Sequence, residues 1–269
     1  MRLPIYQIDA FTSAVFSGNP AAVVPLEAWL PAAQMQAIAA ENNLSETAFA
    51  VPPGDADGGA WGLRWFTPEV EVDLCGHATL ATAHLIMNIL QPGKERVVFS
   101  TQKAGLLTVT RGEEGRLTLD FPTRAPQVPD TVHPGLVTAL GGPAPAAILA
   151  ARDYLVVYDH AADVRALTPD AAGLMGIDRF AVIVTAPGDE PGVDFVSRFF
   201  APAKGVLEDP VTGSAHCTLI PYWAERLGVD RLSARQVSRR GGALACRLVG
   251  DRVHISGDAV LFLEGHIHI

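Results

Sequence analysis

The chain has 269 residues, 49% of them apolar and 18% charged, which excludes a disordered polypeptide and suits about two domains. A formal net charge of −9 excludes nucleic acid and anionic membranes as natural partners, because nothing would neutralise their phosphates. No apolar run approaches the roughly 20 residues of a membrane span, and three cysteines at unrelated spacings make no disulfide framework.

Residues 1–10 mix Arg2, Gln7 and Asp9 with apolar residues and read as strand, not secretory leader, so cytoplasmic residence is expected. Strand alternation over 5–11 is followed by the turn cluster Ser17-Gly18-Asn19-Pro20 and a short strand at 21–24. Pro31 suits the first turn of a helix that ends near Asn42-Asn43. Residues 45–51 are extended, 52–59 form a loop, and 63–66 form a strand. Residues 76–90 predict a buried helix, with Ala78, Ala81 and Ala83 allowing close packing and Pro92-Gly93 ending it. Strands are predicted at 97–100, 106–110 and 116–121.

Six of the 20 prolines fall between 122 and 145, where the crossover between halves is placed, with a short helix at 135–140. The second half repeats the order: strand 153–158, helix 169–175, strands 180–185 and 194–200, helix 213–227 closed by Gly228, then strands at 245–249, 252–256 and 260–263. Pro221 predicts a kink or register break inside that helix. The cations Arg235, Arg239 and Arg240 read as a solvated face.

The two halves resemble each other in sequence. Arg64-Trp65-Phe66-Thr67-Pro68 returns 134 residues later as Arg198-Phe199-Phe200-Ala201-Pro202. Cys75-Gly76-His77-Ala78-Thr79 is echoed by Thr212-Gly213-Ser214-Ala215-His216, at an offset of 137. The expected fold is therefore α+β: two pseudo-symmetric lobes, residues 1–125 and 126–269, each a curved, mostly antiparallel sheet around one apolar helix. The last strands are free to cross to the first lobe. A helix without a polar face must be surrounded.

Each central helix begins with glycine, which leaves unpaired N–H groups and a partial positive charge open to close approach. Gly76 and Gly213 thus either ease a strand-to-helix turn or form two anion-binding ends facing one cleft. Acids precede both helices: Asp73 before the first, Glu208 and Asp209 before the second. Asp209 fits an N-capping role or substrate binding opposite His77; position alone leaves both open. Glu46, taken alone, reads as a surface or capping carboxylate at the start of an apolar strand. A two-thiol epimerase mechanism lacks its second member, because Thr212 stands where the partner of Cys75 would be. An inert, buried Cys75 is the simpler reading. No complete metal-ligand pattern, nucleotide-binding loop or hydrolase elbow is present, so metal binding is weakly signalled and neither a dinucleotide nor a nucleotide triphosphate is expected.

Four segments in order carry a family likeness: Asp9-Ala10-Phe11 through Phe16-Ser17-Gly18-Asn19-Pro20-Ala21, then residues 43–48, residues 66–78, and Glu208-Asp209-Pro210-Val211-Thr212-Gly213-Ser214-Ala215-His216. With them the chain resembles the PhzF-like (phenazine biosynthesis-like) isomerases, relatives of diaminopimelate epimerase. The resemblance implies two lobes with the site between them, Glu46 as the proton-transferring carboxylate, and substrate held by His77, Asp209, Ser214, Gly76 and Gly213. It also implies a homodimer and neither cofactor nor metal. The expected activity is isomerisation of a small carboxylate-bearing substrate by general acid–base catalysis. The alternatives are a non-catalytic small-molecule-binding protein and a one-cysteine racemase using Cys75 with Glu46.

Overall fold

The computed structural model describes residues 1–54 and 58–269, so part of the expected loop at 52–59 lies outside the described residues. Two compact units are formed: Met1–Asp120 with Ser256–Ile269, and Phe121–Ile255.

The first unit holds β1 (Arg2–Ala10), β2 (Asn19–Pro25), α1 (Ala32–Asn42), β3 (Glu46–Val51), β4 (Trp61–Phe66), the short β5 (Glu71–Val72), α2 (Gly76–Leu85), β6 (Arg96–Thr101), β7 (Leu106–Arg111) and β8 (Leu117–Pro122). The final strand β16 (Ala259–His268) pairs antiparallel with β1. Strand order is β16-β1-β2-β3-β4-β6-β7-β8, with β5 beside β4. Every residue of α2 except His84 is buried, as its alanines and lack of a polar face require. It packs on β1, β2, β3 and β16. α1 covers the other side of β3, closing a core of Met35, Ile38, Phe49 and Phe66. Covered on both faces, β3 reads Thr-Ala-Phe-Ala without polar alternation.

The second unit holds α3 (Leu136–Leu140), β9 (Ala147–Ala150), β10 (Tyr154–Val157), α4 (Ala161–Ala166), α5 (Ala171–Met175), β11 (Val182–Pro187), β12 (Phe195–Phe200), α6 (Gly213–Leu227), β13 (Arg231–Gln236), β14 (Gly242–Val249) and β15 (Arg252–Gly257). Its order is β9-β10-β11-β12-β13-β14-β15. The small helices α3, α4 and α5 contribute Leu136, Leu140, Val164 and Leu174 to a core with β10 and β11. Trp223 of α6 stacks on Phe195 at 5.6 Å and donates its indole N–H to Thr185 Oγ1 at 3.0 Å.

The duplication is visible in the pairing. In the first unit β1/β2 is antiparallel, β2/β3 parallel, β3/β4 antiparallel, β4/β6 parallel and β6/β7 antiparallel. In the second, β9/β10, β10/β11, β11/β12, β12/β13 and β13/β14 follow the same alternation. Each unit also carries one matched ion pair. Arg64 binds Glu71 with two hydrogen bonds of 2.7 Å, and Arg198 binds Glu208 with two of 2.7 and 3.0 Å. Both acids stand five residues before the helix-leading glycine.

Several elements differ from the sequence reading. The helix expected over 76–90 is α-helical to Leu85 and continues as a π turn over Ile86–Leu90. The register break expected at Pro221 is absent, and α6 runs as one helix from Gly213 to Leu227. Proline removes the donor owed to the Cys217 carbonyl, and the backbone N–H of Arg124 supplies one instead at 2.8 Å. β9, β13 and α4 were not foreseen: β9 lies in an Ala-rich stretch without alternation, and β13 buries only Leu232, Ala234 and Gln236.

Candidate functional site

In the first unit the parallel pairing of β2 and β3 sets Glu46 opposite Ala21, two residues from Asn19. α2 then starts at Gly76 with Cys75 in an extended N-cap conformation whose side chain caps nothing. The outcome is a buried cluster. Glu46 Oε2 lies 3.3 Å from His77 Nε2, with the two side chains 15% and 3% exposed. Asn19 Nδ2 donates to His77 Nδ1 at 3.0 Å, and Cys75 Sγ is 3.5 Å from the same nitrogen. Because Nδ1 accepts from an amide, the neutral imidazole carries its proton on Nε2, the nitrogen facing Glu46. Burial pushes the His77 pKa down to about 3, so the ring is neutral at ordinary pH. Glu46 is therefore a largely buried acid beside a neutral N–H donor at the start of α2, not a surface carboxylate.

In the second unit α6 starts at Gly213 after an extended Thr212, again without a side-chain cap. The Asp209 carboxylate accepts the hydroxyl of Thr212, the N-cap residue, so Asp209 braces the helix start through that hydroxyl. Gln236 pins both ends of this turn, donating to Asp209 O at 2.7 Å and accepting from Thr212 N at 2.8 Å. Ser214 is buried and its Oγ accepts from Arg152 Nη2 at 3.4 Å. Glu208 is committed to Arg198.

The copies differ where chemistry is expected. Thr47 pairs with Phe66 and Val182 with Phe200, so Ala181 holds the place of Glu46. His77 is matched by Ser214 and Cys75 by Thr212. Asp73, read from sequence as the counterpart of the acids before α6, is instead a surface residue paired with Lys103 at 2.7 Å. The true match of Glu208 is Glu71, and Asp209 falls opposite Val72. Asn19, Gln236 and Arg152 escaped the sequence reading. Asn19 sat in a cluster whose glycine and proline already explained a turn, and nothing local marks Gln236 or Arg152.

Cys217 and Cys246 are buried, and burial raises their pKa values, to about 11 for Cys217. Glu46, Cys75 and His77 bring one donor atom each within 4.8 Å of one another, a geometry able to hold a metal ion. Among the described residues no helix is long and apolar enough to cross a membrane.

Comparison with known proteins shows the family and the fold. The chain is 53% identical to an uncharacterized isomerase of Pseudomonas aeruginosa, over the whole of both chains. A crystal structure of a PhzF-family phenazine biosynthesis protein from Enterococcus faecalis superposes with a TM-score of 0.92 at 48% identity, covering all of both chains. A predicted epimerase of Pseudomonas aeruginosa shares the fold, with a TM-score of 0.74 at 20% identity over 98% of this chain and 99% of that one. Residues 8–265 match the phenazine biosynthesis-like protein family, PhzC-PhzF, and the chain belongs to that isomerase-like family.

Proposed function

We propose that this protein is a cofactor-independent isomerase that moves a proton between two carbons of a small, carboxylate-bearing substrate, with Glu46 as the transferring group. The observation that carries the reading is the Glu46–His77 contact of 3.3 Å, buried beside the start of α2. The Glu46 carboxylate takes a proton from one substrate carbon and returns it to another, so its own state is unchanged over a cycle. The negative charge that develops meanwhile is met by donors fixed in advance: the amides of Gly76 and His77, and the Nε2–H of a histidine kept neutral by burial. Asp209, Gly213 and Ser214 complete the substrate site from the second helix start. On this reading the two helix starts share one cleft, and the working form is a homodimer.

The test is incubation with candidate substrates in deuterated water. The wild-type protein incorporates solvent deuterium at a C–H position, and Glu46→Gln lowers that rate about 10²–10⁴-fold while substrate binding persists. A Glu46→Gln variant exchanging at the wild-type rate excludes the role. A one-cysteine racemase is kept as a second reading because Cys75 Sγ lies 3.5 Å from His77 Nδ1. Cys75→Ala retaining full exchange removes it.

A further inference from the structure

β16 stands at one end of the strand order and pairs with β1 alone. Among the described residues no strand lies on its other side. Ile269 N donates to Met1 O at 2.9 Å and Met1 N donates to Ile269 O, so Ile269 turns its backbone groups toward β1. Antiparallel ladders alternate between pairs that exchange hydrogen bonds and pairs that exchange none. The register from Arg2 opposite His268 to Gln7 opposite Leu263 is unbroken, so Ile267, Gly265 and Leu263 also bond to β1. Glu264, His266 and His268 therefore turn their N–H and C=O groups outward, along a free edge.

Natural proteins guard such an edge with lysine, proline or a short strand. β16 has ten residues and contains neither lysine nor proline. Phe262, Leu263, Glu264, His266 and His268 are exposed. Phe16, 72% exposed, meets Phe262 edge-on at 5.6 Å. Its N–H donates to the Asp9 carboxylate at 3.0 Å, and its φ is +71°, a costly conformation for an aromatic residue. An apolar patch on an unguarded edge marks an interaction surface.

This edge is complementary to itself. With a twofold axis at Gly265, a second β16 lies antiparallel to the first, and Glu264 of each copy stands opposite His266 of the other. Both residues turn their backbone groups outward, so each such pair exchanges two backbone hydrogen bonds. His266 Nδ1 accepts from Arg2 Nη2 at 3.2 Å, which leaves the imidazole proton on Nε2 to donate to the facing carboxylate. Leu263 faces Ile267, and the two glycines meet where the strands approach most closely. An axis at Glu264 would set carboxylate against carboxylate. An axis at His266 would set imidazole against imidazole and shorten the paired run.

We infer that two copies of this chain associate through the outer edge of β16, with Gly265 on the twofold axis, so that their first-unit sheets join into one. The inference gives the proposed homodimer its surface and register, and it does not depend on the role of Glu46.

Sedimentation equilibrium on the full chain reads the association, and wild type is expected at twice the chain mass of 28.5 kDa. His266→Pro removes an outward donor that β1 does not use, so the dimer dissociation constant should rise at least about tenfold with the fold intact by circular dichroism. Glu264→Lys and His266→Glu, both at exposed positions, should each weaken self-association. Mixing these two variants should restore dimers, because the mixed pair sets the new lysine against the new acid and keeps one Glu264–His266 contact. A Cβ added at Gly265 meets nothing nearer than 3.8 Å, and the native cysteines are buried. In oxidised glutathione, Gly265→Cys should form an interchain disulfide, its two thiols reducing the glutathione disulfide, because residues on the axis lie within bridging distance. Wild type that stays monomeric at its highest soluble concentration overturns the inference. So does a dimer unweakened by His266→Pro, mixed variants that do not associate, or Gly265→Cys that dimerises without cross-linking. Deuterium exchange reads Glu46 separately: a cross-linkable dimer without exchange refutes the catalytic reading and leaves the interface standing.

Discussion

His216 offers a sharp test of how the repeat is built, because its counterpart suggests the substitution. It is fully buried in α6, its Nδ1 lies 2.8 Å from Thr212 O, and its Nε2 has no hydrogen-bond partner. The matched residue is Thr79, whose Oγ1 donates to the equivalent carbonyl of Cys75 at 2.5 Å. Both side chains return a bond to the residue that caps the helix, but only the histidine titrates. Burial pushes its pKa down to about 4 from the usual 6.5. The unfolded chain therefore takes up a proton below pH 6.5 that the folded protein refuses until about pH 4. Stability is full above 6.5 and falls with acid across that window, at ~1.4 kcal/mol per pH unit for one such group. Between pH 7.5 and 4 the loss due to His216 is about 3 kcal/mol. His216→Thr should keep the bond to Thr212 O and cost about 1 kcal/mol at neutral pH for the lost volume. It should also remove this acid-dependent loss. Urea unfolding at pH 7.5, 6.5, 5.5 and 4.5 measures both quantities. His77 and His84 have the same sign of shift and stay in the variant, so the slope attributable to histidine should fall rather than vanish. A variant whose stability falls with acid as steeply as wild type refutes the reasoning.

His77 itself should stay in its neutral, Nε2-protonated form from pH 8 to 5, and imidazole nitrogen shifts that reveal an imidazolium above pH 5 would contradict its burial-driven shift. Arg198→Met strands Glu208 and removes donors from the carbonyls of Val164 and Leu167, so it should cost about 3–5 kcal/mol in guanidinium unfolding, with most of that loss recovered in Arg198→Met/Glu208→Leu. A Cβ added at Gly188 would lie 2.0 Å from Val193 O in the hairpin before β12. Gly188→Ala should therefore lose at least about 2 kcal/mol by thermal or chemical unfolding, whereas Gly176→Ala, with no atom nearer than 3.9 Å, should change stability by under ~0.5 kcal/mol.

Much of the architecture is local chemistry and was therefore readable from the chain. Gly76 and Gly213 open helices, Gly228 closes one in the left-handed region at φ +69°, and the alanine runs between them mark segments that must be surrounded. The doubled Arg-x-Phe motifs and the two glycine-led helices together announced the duplication. Partners supplied from far along the chain were not readable. Pro221 signals a break in any window around it, and only the Arg124 amide, 97 residues earlier, makes the unbroken helix possible. Gln236 fixes the Asp209 turn from 27 residues away. Asp73 and Glu71 look alike in sequence, and only the ladder between β4 and β5 shows which of them meets Arg64.

The sequence by itself determined the class of fold, the twofold repeat and the two helix starts, and through family likeness it pointed to Glu46 and His77. Periodicity, capping and glycine conformations act over a few residues and leave their mark there. Tertiary structure alone decided that Glu46 is held 3.3 Å from a buried neutral imidazole, that Asn19 donates to that ring, and that Arg152 reaches Ser214 at the second helix start. Those facts depend on strand register and burial, which join residues tens of positions apart and perturb ionisation only once water has been excluded.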